Sequence, residues 1–275
     1  MSVVDKLVKL IRETSSSLSP DVLKALRSAL RKEKKGSSAA VILRTILDNC
    51  AIAAKRGTPL CQDTGTLTFF VDERLRRKVT PAVIAKAVAI ATEKGYLRKN
   101  TIDAVTGKSY DDNCAEGAPV VHYCDRRGVT LILKGGGSEN MSRQYSLPDS
   151  ALGAGRDLEG VRKCILDAVQ KIQGYGCAPG ILGVCIGGDR ATGYEVAKEQ
   201  LLRLINEKRG QTSFGNFETR LLKEANSLGI GPMGLGGKTT LLGVKIAARP
   251  RVPASFFVTI AYMCWACRRK TTTFR

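Results

Sequence analysis

The chain has 275 residues, enough for one large domain or two small ones that bury a sizeable core. It carries 44 Lys and Arg against 25 Asp and Glu, only 5% of its residues are aromatic, and no run of eighteen uncharged apolar residues occurs, which excludes a membrane-spanning helix. The N-terminus has an early acid and no apolar segment, so no signal peptide is expected, and an odd count of nine cysteines favours a reducing compartment, the cytoplasm.

The first hundred residues are predicted to be mainly helical. Apolar residues recur at helical spacing, and Pro or Gly marks most of the boundaries. The four helices predicted in this way lie at about residues 3–11, 20–30, 38–55 and 81–95. A short strand, residues 67–71, is predicted between the third helix and the fourth.

From residue 120 onward, predicted strands alternate with helices. Two β-rich runs, residues 120–124 and 129–133, flank Asp125-Arg126-Arg127-Gly128 and predict a β-hairpin. Further helices are predicted at about residues 157–173, 193–207 and 217–228, and further strands at 181–186, 241–246 and 256–261. Because no repeat or linker occurs, we expect one mixed α+β domain over residues 1–275, with a helical N-terminal region and small β-sheets flanked by helices.

The net charge of +19 is concentrated towards the two ends of the chain, and the last 35 residues contain no acid. The basic runs are Arg31-Lys32-Glu33-Lys34-Lys35, Arg74-Leu75-Arg76-Arg77-Lys78 and Arg268-Arg269-Lys270. No aromatic residues are interleaved with them, as a platform for stacking bases would require. We interpret the runs as solvated helix faces and a contact surface for an acidic partner or substrate. A basic nucleic-acid-binding protein, whose affinity would fall steeply with salt, is the remote alternative.

Two segments place polar groups beside predicted strands. Cys61-Gln62-Asp63-Thr64-Gly65-Thr66 puts a thiol, an amide and a carboxylate side by side in a turn, although an Asp63 that merely caps Thr64 or Thr66 would look the same. Lys134-Gly135-Gly136-Gly137-Ser138-Glu139-Asn140 follows a strand, and its glycines allow backbone N–H groups to converge on an anion. The alternative for this second segment is a tight turn with a β-bulge.

Two further segments contain cysteines that could bind a metal ion or take part in redox chemistry. Gly176-Cys177-Ala178-Pro179 leaves the Cys177 thiol at the mouth of a strand, where it can face a pocket. Cys264-x-x-Cys267 alone suggests a redox pair or half of a zinc site. A zinc-holding scaffold remains a remote alternative, because no second C-x-x-C motif exists and His122 is the only histidine.

The glycine-rich stretch from residue 231 to 240 ends in Gly-Gly-Lys-Thr-Thr but does not fit a P-loop. The P-loop pattern requires a glycine where this chain has Pro232, and the loop leads into a predicted strand rather than a helix. We therefore exclude a nucleotide triphosphatase. The glycines and Lys238 can still contribute to binding a carboxylate.

Taken in chain order, these segments resemble the α half of the iron–sulfur hydro-lyases, namely class I fumarate hydratase and the α subunit of L(+)-tartrate dehydratase. The matching stretches are Cys61–Gly65, Lys134–Asn140, Gly176–Pro179, Gly231–Gly234, Gly236–Thr240, and Pro253–Ser255 followed by Cys264–Ala266. The resemblance implies reversible hydration of fumarate to (S)-malate. Dehydration of L(+)-tartrate is the alternative.

The resemblance implies a [4Fe–4S] cluster held by three cysteines, at the positions of Cys61, Cys177 and Cys264. In such a site one iron stays open to the substrate and acts as a Lewis acid. The other six cysteines are expected to be ordinary buried or half-buried thiols.

The resemblance also implies roles for residues around a small dicarboxylate substrate. Gln62 matches a residue that hydrogen-bonds the substrate, and Asp63 matches one in the acid–base network. Arg98 matches an arginine whose fork suits a carboxylate, although a surface arginine after a helix is the alternative. Gly135 and Gly136 would offer N–H groups to the same ligand.

The chain departs from the family pattern in two ways, at one residue and in the absence of a second half. Val252 stands where some members have a histidine just before Pro-Ala-Ser. No part of the chain resembles the family's β half, which carries further substrate-binding residues and the proposed base. The resemblance therefore implies an α subunit that acts with a β partner in an α2β2 type of assembly, or a piece of a fused enzyme.

Overall fold

The structure is a computed structural model that describes residues 1–207 and 214–274. Its contacts divide the chain into two compact units: Met1–Ser19, Asp48–Gly136 and Ala266–Arg275 form the first, and Pro20–Leu47 with Gly137–Trp265 forms the second. The α+β class, with a helical N-terminal region and small sheets flanked by helices, is confirmed. The assignment of residues 1–275 to one domain stays a prediction.

The seven predicted helices are present, and most begin within one or two residues of the predicted start. An eighth, short helix forms in the glycine segment after Lys134, where a loop or tight turn was predicted. In chain order the α-helices are α1 Val3–Ser16, α2 Pro20–Lys32, α3 Ser38–Arg56, α4 Pro81–Glu93, α5 Gly136–Asn140, α6 Leu158–Ile172, α7 Arg190–Gln200 and α8 Gly215–Ser227. The start of α4 shows why the boundary was readable, since Thr80 caps the Val83 N–H and Pro81 occupies the first turn. Within the described part of the chain, no helix combines the length and apolarity needed to cross a bilayer.

The strands include the six predicted runs and four short polar ones that the pattern did not reveal. They are β1 Thr66–Asp72, β2 Thr101–Ile102, β3 Ser109–Tyr110, β4 Val120–Cys124, β5 Val129–Lys134, β6 Arg143–Ser146, β7 Gly180–Gly187, β8 Leu241–Arg249, β9 Phe257–Met263 and β10 Arg268–Thr272. Of these, β2, β3, β6 and β10 lack an apolar alternation long enough to predict a strand from sequence.

The first unit is built on a four-stranded sheet in the order β10-β5-β1-β4. Alternate residues of β1 and β5, such as Phe69 and Leu131, point to one face and are fully buried there. The apolar stripes of α1 and α4, including Ile11 and Ile84, pack in the same core. This packing fixes where β1 begins and β5 ends, which is where the predicted site residues lie.

The predicted hairpin between β4 and β5 is wrong, because β1 lies between the two strands. Phe70 of β1 pairs with His122 of β4 in parallel and with Thr130 of β5 in antiparallel register. The turn before β5 bonds to the end of β1 instead: the Asp72 N–H donates to the Gly128 carbonyl at 2.9 Å. Turn residues alone do not reveal a third strand that inserts from elsewhere in the chain.

The interpretation of Arg268-Arg269-Lys270 as a solvated helix face is also wrong. These residues form β10, which pairs with β5, and Arg268 and Arg269 are 2% and 5% exposed. The Arg269 guanidinium donates to the Ser19 hydroxyl at 2.6 Å. The other two basic runs are largely exposed, as expected, and Arg275, the end of the basic C-terminal segment, lies outside the described residues.

The second unit contains a four-stranded sheet in the order β6-β9-β7-β8. β7 runs parallel to β8 and antiparallel to β9, and the core beside it includes Val184, Ile165 of α6 and Leu221 of α8. The glycine-rich stretch before β8 leads directly into that strand, which confirms that it is not a P-loop. The helix predicted over residues 193–207 is shorter, because α7 ends at Gln200.

Candidate active site

The turn that carries Gln62 and Asp63 lies beside the glycine loop that follows β5. Thr66 and Lys134 are paired residues of the antiparallel β1–β5 ladder, so the start of one strand meets the end of the other. Gly65 has a φ of +75°, and a Cβ added there would collide with the Lys134 carbonyl. Glycine is therefore required for the two loops to approach each other.

The carboxylate of Asp63 is held by two donors from different segments. Its Oδ2 accepts from the Gly136 N–H at 2.7 Å, and its Oδ1 accepts from the Asn100 side chain at 3.2 Å. A Cβ added at Gly135 would lie 2.7 Å from Oδ2. The glycine segment thus binds the chain's own Asp63 carboxylate. Asp63 does not act as a cap for Thr64 or Thr66, the alternative considered from the sequence.

The backbone of Arg98 is fixed next to this turn. The Thr64 hydroxyl accepts from the Arg98 N–H at 2.9 Å and lies 3.1 Å from its carbonyl oxygen, to which it can donate. The Arg98 carbonyl also accepts from the Asn113 side chain at 2.9 Å. The Arg98 side chain itself is exposed, as is that of Gln62, so both can reach a ligand.

Asn113 organises the loop that carries Arg98 and Asn100, and sequence reasoning missed it. Its side chain is 0% exposed, and its Oδ1 accepts from the N–H groups of Asn100 and Thr101 at 2.8 and 3.0 Å. Its Nδ2 also donates to the Thr92 hydroxyl at 3.0 Å. An asparagine between two polar, turn-rich segments carries no sequence signal for such a role.

A cleft of about 320 Å³ opens in the first unit, and Gly136 is the one residue among the predicted catalytic and substrate-binding set that lines it. Asn100 and Gly136, the two residues that donate to Asp63, both line it, together with Thr66, Ile102 and Pro119. The volume is at the lower end of the range for small-molecule sites. The cleft can accommodate a ligand the size of a small dicarboxylate within reach of the residues that orient Asp63.

In the second unit, the segments of Cys177 and Cys264 lie side by side. The Trp265 N–H donates to the Cys177 carbonyl at 3.3 Å, and the Cys264 N–H donates to the Ser138 hydroxyl at 3.1 Å. Cys177 has a φ of +52° and an exposed side chain, while Cys264 is half-buried. Two of the three cysteines predicted as cluster ligands are therefore neighbours within one unit.

Tyr262 packs against the glycines on either side of Cys177, and it was not singled out from the sequence. It is 1% exposed, and its hydroxyl has no hydrogen-bond partner in the described part of the chain. Burial raises the pKa of the Tyr262 hydroxyl well above its usual value, and charge on Cys264 and Cys177 acts in the same direction. The ring packs against Gly176 and Gly180, on either side of Cys177, so the hydroxyl lies beside this segment.

The three predicted ligands are more exposed than the buried cysteines, but Cys114 and Cys124, outside the predicted set, are half-buried as well. Cys61 is half-buried in the first unit, on the turn that carries Asp63. By contrast, burial raises the pKa values of Cys50, Cys164 and Cys185 to about 11, 12 and 11, which keeps these thiols protonated. Within residues 1–207 and 214–274, no three His, Cys, Asp or Glu side chains form a group that could hold a metal ion.

Val252, which stands where some relatives have a histidine, lies elsewhere in the second unit. It is largely exposed and lines a cleft of about 620 Å³ with Asp189, Arg249 and Arg251. None of the residues predicted to bind substrate or metal lines this cleft.

The family model described as fumarate hydratase (Fumerase) matches residues 4–273, nearly the whole chain. The chain belongs to the fumarate hydratase family. The resemblance carried by the ordered motifs is thereby confirmed.

Individual members of the fumarate hydratase family show the same relationship. The "Putative fumarate hydratase class I" of Geobacillus stearothermophilus is 47% identical over 96% of this chain and 53% of its own length. The "Putative L(+)-tartrate dehydratase subunit alpha" of Methanocaldococcus jannaschii is 34% identical over 98% of this chain and 96% of its own length. The "L(+)-tartrate dehydratase subunit alpha" of Escherichia coli K12 is 28% identical over 98% of this chain and 90% of its own length. The chain thus spans about half of the first relative and nearly all of the other two.

Proposed function

We propose that this chain is the α-type part of an iron–sulfur hydro-lyase that interconverts fumarate and (S)-malate. The observation that carries the proposal is the orientation of Asp63 by Gly136 and Asn100 beside a cleft of suitable size, in a chain of the fumarate hydratase family. The 47% identity to a protein named as a class I fumarate hydratase supports fumarate as the substrate.

The residues of the first unit would bind the substrate and move a proton. Each Asp63 oxygen accepts one hydrogen bond, which fixes the plane of the carboxylate and leaves lone pairs that can exchange a proton with the substrate. The exposed Arg98 guanidinium would bind one substrate carboxylate through its two-pronged fork. Gln62 would donate to the substrate from the same turn, and Gly135 and Gly136 would line the binding site with backbone.

Cys61, Cys177 and Cys264 would hold a [4Fe–4S] cluster. The donor set fits, because thiolates are the usual ligands of iron–sulfur clusters and these three thiols are less buried than Cys50, Cys164 and Cys185. When bound, the cluster would supply a Lewis-acidic iron for the departing or attacking oxygen.

The remaining active-site residues would come from a β-type partner. The chain covers 96% and 90% of two proteins named as α subunits but 53% of the Geobacillus relative, which has room for a second half. We propose an α2β2 type of assembly, or a fused enzyme of which this sequence is a part, acting in the reducing cytoplasm. The two exposed basic runs, residues 31–35 and 74–78, would contact an acidic partner or the dicarboxylate substrate.

The first experiment measures iron and sulfide in the chain reconstituted without oxygen. We expect about four irons and a broad visible absorption band, both lost in Cys61→Ser, Cys177→Ser and Cys264→Ser. Cys114→Ser, at a half-buried thiol outside the predicted set, is the matched control and should keep the cluster. A colourless chain, or one whose metal content ignores the three substitutions, would contradict the proposal.

The substrate is tested once the partner is present. Dehydration of L(+)-tartrate is the second candidate, because two relatives that match nearly their whole length are named as tartrate dehydratase α subunits. The assembled enzyme should show a higher kcat/KM for (S)-malate and fumarate than for L(+)-tartrate. A reversed order would assign the chain to the tartrate enzymes.

A further inference from the structure

The Tyr262 hydroxyl is buried, and it makes no hydrogen bond within the described part of the chain. It is one of four buried side-chain N or O atoms without a hydrogen bond in the described part of the chain. Buried hydroxyls are usually paired, because an unpaired one has lost its hydrogen bonds to water without replacement. Tyr145, a tyrosine of the same unit, follows the usual pattern and donates to Asp167 at 2.7 Å.

The position of the Tyr262 ring is determined by two glycines on either side of Cys177. A Cβ added at Gly176 or at Gly180 would collide with the ring, and at Gly180 it would also meet the hydroxyl oxygen. The residue pairs with Leu182 in the β7–β9 ladder, and its N–H donates to Ser142 at 3.2 Å. The ring and its hydroxyl are therefore held against Gly176 and Gly180, beside the Cys177 segment.

Tyr262 is also close in the chain to Cys264, the other predicted cluster ligand of this unit. Cys264 follows Tyr262 by two residues, and the Trp265 N–H ties that segment to the Cys177 carbonyl. The hydroxyl therefore lies beside the two segments that carry the Cys177 and Cys264 thiols. An O–H donor and a thiolate sulfur are complementary, since negative charge on sulfur strengthens the hydrogen bond.

We propose that the Tyr262 hydroxyl donates a hydrogen bond to a sulfur of the cluster bound by Cys177 and Cys264, and thereby raises the reduction potential of that cluster. The inference rests on the proposed function, because it needs the cluster. A donor to sulfur stabilises the more negative, reduced cluster more than the oxidised one, and such bonds are among the factors that set iron–sulfur potentials. Tyr262 is in this sense a positioning residue that acts on the substrate only through the cluster.

The experiment compares Tyr262→Phe with wild type in two states of the full chain. In the reconstituted chain, titration followed by electron paramagnetic resonance should show a lower potential for the variant, by about 59 mV if the loss is tenfold in the one-electron equilibrium. In the metal-free chain, Tyr262→Phe should be as stable as wild type or more so, because only an unpaired hydroxyl is removed.

The matched control is Tyr145→Phe, which removes a hydroxyl that already has a partner. It should lower the stability of the metal-free chain and leave the cluster potential unchanged. In wild type, Fe–S vibrational frequencies should also shift on transfer to D2O, which detects a hydrogen bond to sulfur without any substitution.

The outcomes separate this inference from the proposed function. A wild-type chain that takes up no cluster overturns the proposed function, and the inference with it. A wild-type cluster whose potential is the same in Tyr262→Phe, or a metal-free Tyr262→Phe that is less stable than wild type, overturns the inference alone. If Tyr262→Phe does not fold, an absent D2O shift in wild type overturns it.

Discussion

At the residue scale, the orientation of Asp63 depends on atoms that other segments bring to it. Asn100 and Gly136 are 37 and 73 residues away in sequence, yet both donate to its carboxylate. Gly135 contributes by the absence of a side chain, because Asp63 Oδ2 occupies the space that a Cβ would need. The site therefore relies on backbone that approaches the carboxylate closely, and this makes it sensitive to a single methyl group.

Gly135→Ala should displace the Asp63 carboxylate without unfolding the chain. If Asp63 has the proposed catalytic role, kcat/KM of the proposed hydro-lyase should fall by about 10- to 100-fold, the effect typical of a catalytic group misplaced by about 1 Å. Steady-state kinetics with (S)-malate measures this. Gly137→Ala is the matched control two residues away, where an added Cβ meets nothing within 4 Å, and it should retain activity. Equal activity of the two variants would show that Asp63 tolerates the displacement.

At the element scale, the segment between α4 and β4 is ordered by one buried side chain. Asn113 accepts from two backbone N–H groups and donates to the Arg98 carbonyl and the Thr92 hydroxyl. Its own φ is +60°, a conformation that asparagine tolerates better than most residues. The short β2–β3 pair and the loop that carries Arg98 therefore depend on contacts that local propensity does not supply.

Asn113→Ala should destabilise the chain and loosen this loop. Removing the side chain leaves buried partners unpaired and places alanine at positive φ, so we expect the free energy of unfolding to fall by about 2–4 kcal/mol. Urea denaturation measures the change. Asn49→Ala removes one hydrogen bond, to the Leu60 carbonyl at 3.1 Å, and should cost about 1 kcal/mol or less. A cost at Asn113 no greater than at Asn49 would contradict the role assigned to it.

At the scale of the whole molecule, both units are assembled from separated stretches of chain. The first unit includes α1 from the N-terminal part of the chain and β10 from the C-terminal part. α1 contributes to its core, and β10 adds a strand to its sheet. Leu7, Leu10 and Ile11 of α1 are buried in its core, and β10 covers an edge of β5. A contiguous piece of the first unit would therefore expose both an apolar surface and an unpaired strand edge.

A fragment of residues 48–136 should not fold alone. It lacks α1 and β10, so we expect circular dichroism without a cooperative thermal transition and strong binding of an apolar dye, whereas the full chain should unfold cooperatively. A sharp transition in the fragment would show that α1 and β10 are dispensable. The basic run in β10 is consistent with a structural role, because Arg268 and Arg269 are buried and are not a solvated tail.

The sequence by itself determined those features whose causes lie within a few residues. The starts of α2, α3 and α4 follow from apolar spacing and from Pro or Ser at their first turns, and the strand character of β7 and β8 follows from short apolar runs. The ordered cysteine and glycine motifs were sufficient to predict the fumarate hydratase family, because the residues of each motif are adjacent in the chain.

Only the tertiary structure decided which distant segments meet. Local patterns predicted β4 and β5 but not the insertion of β1 between them, since strand pairing depends on the whole sheet. They marked Asp63 and the glycine loop but not the hydrogen bond between the two, nor Asn100 on the other carboxylate oxygen. Tyr262, one residue beyond the predicted strand 256–261, has no role that the sequence reveals, and only the fold places its ring against Gly176 and Gly180. Contacts of this kind arise from packing across the fold, and the period of a helix or strand carries no information about them.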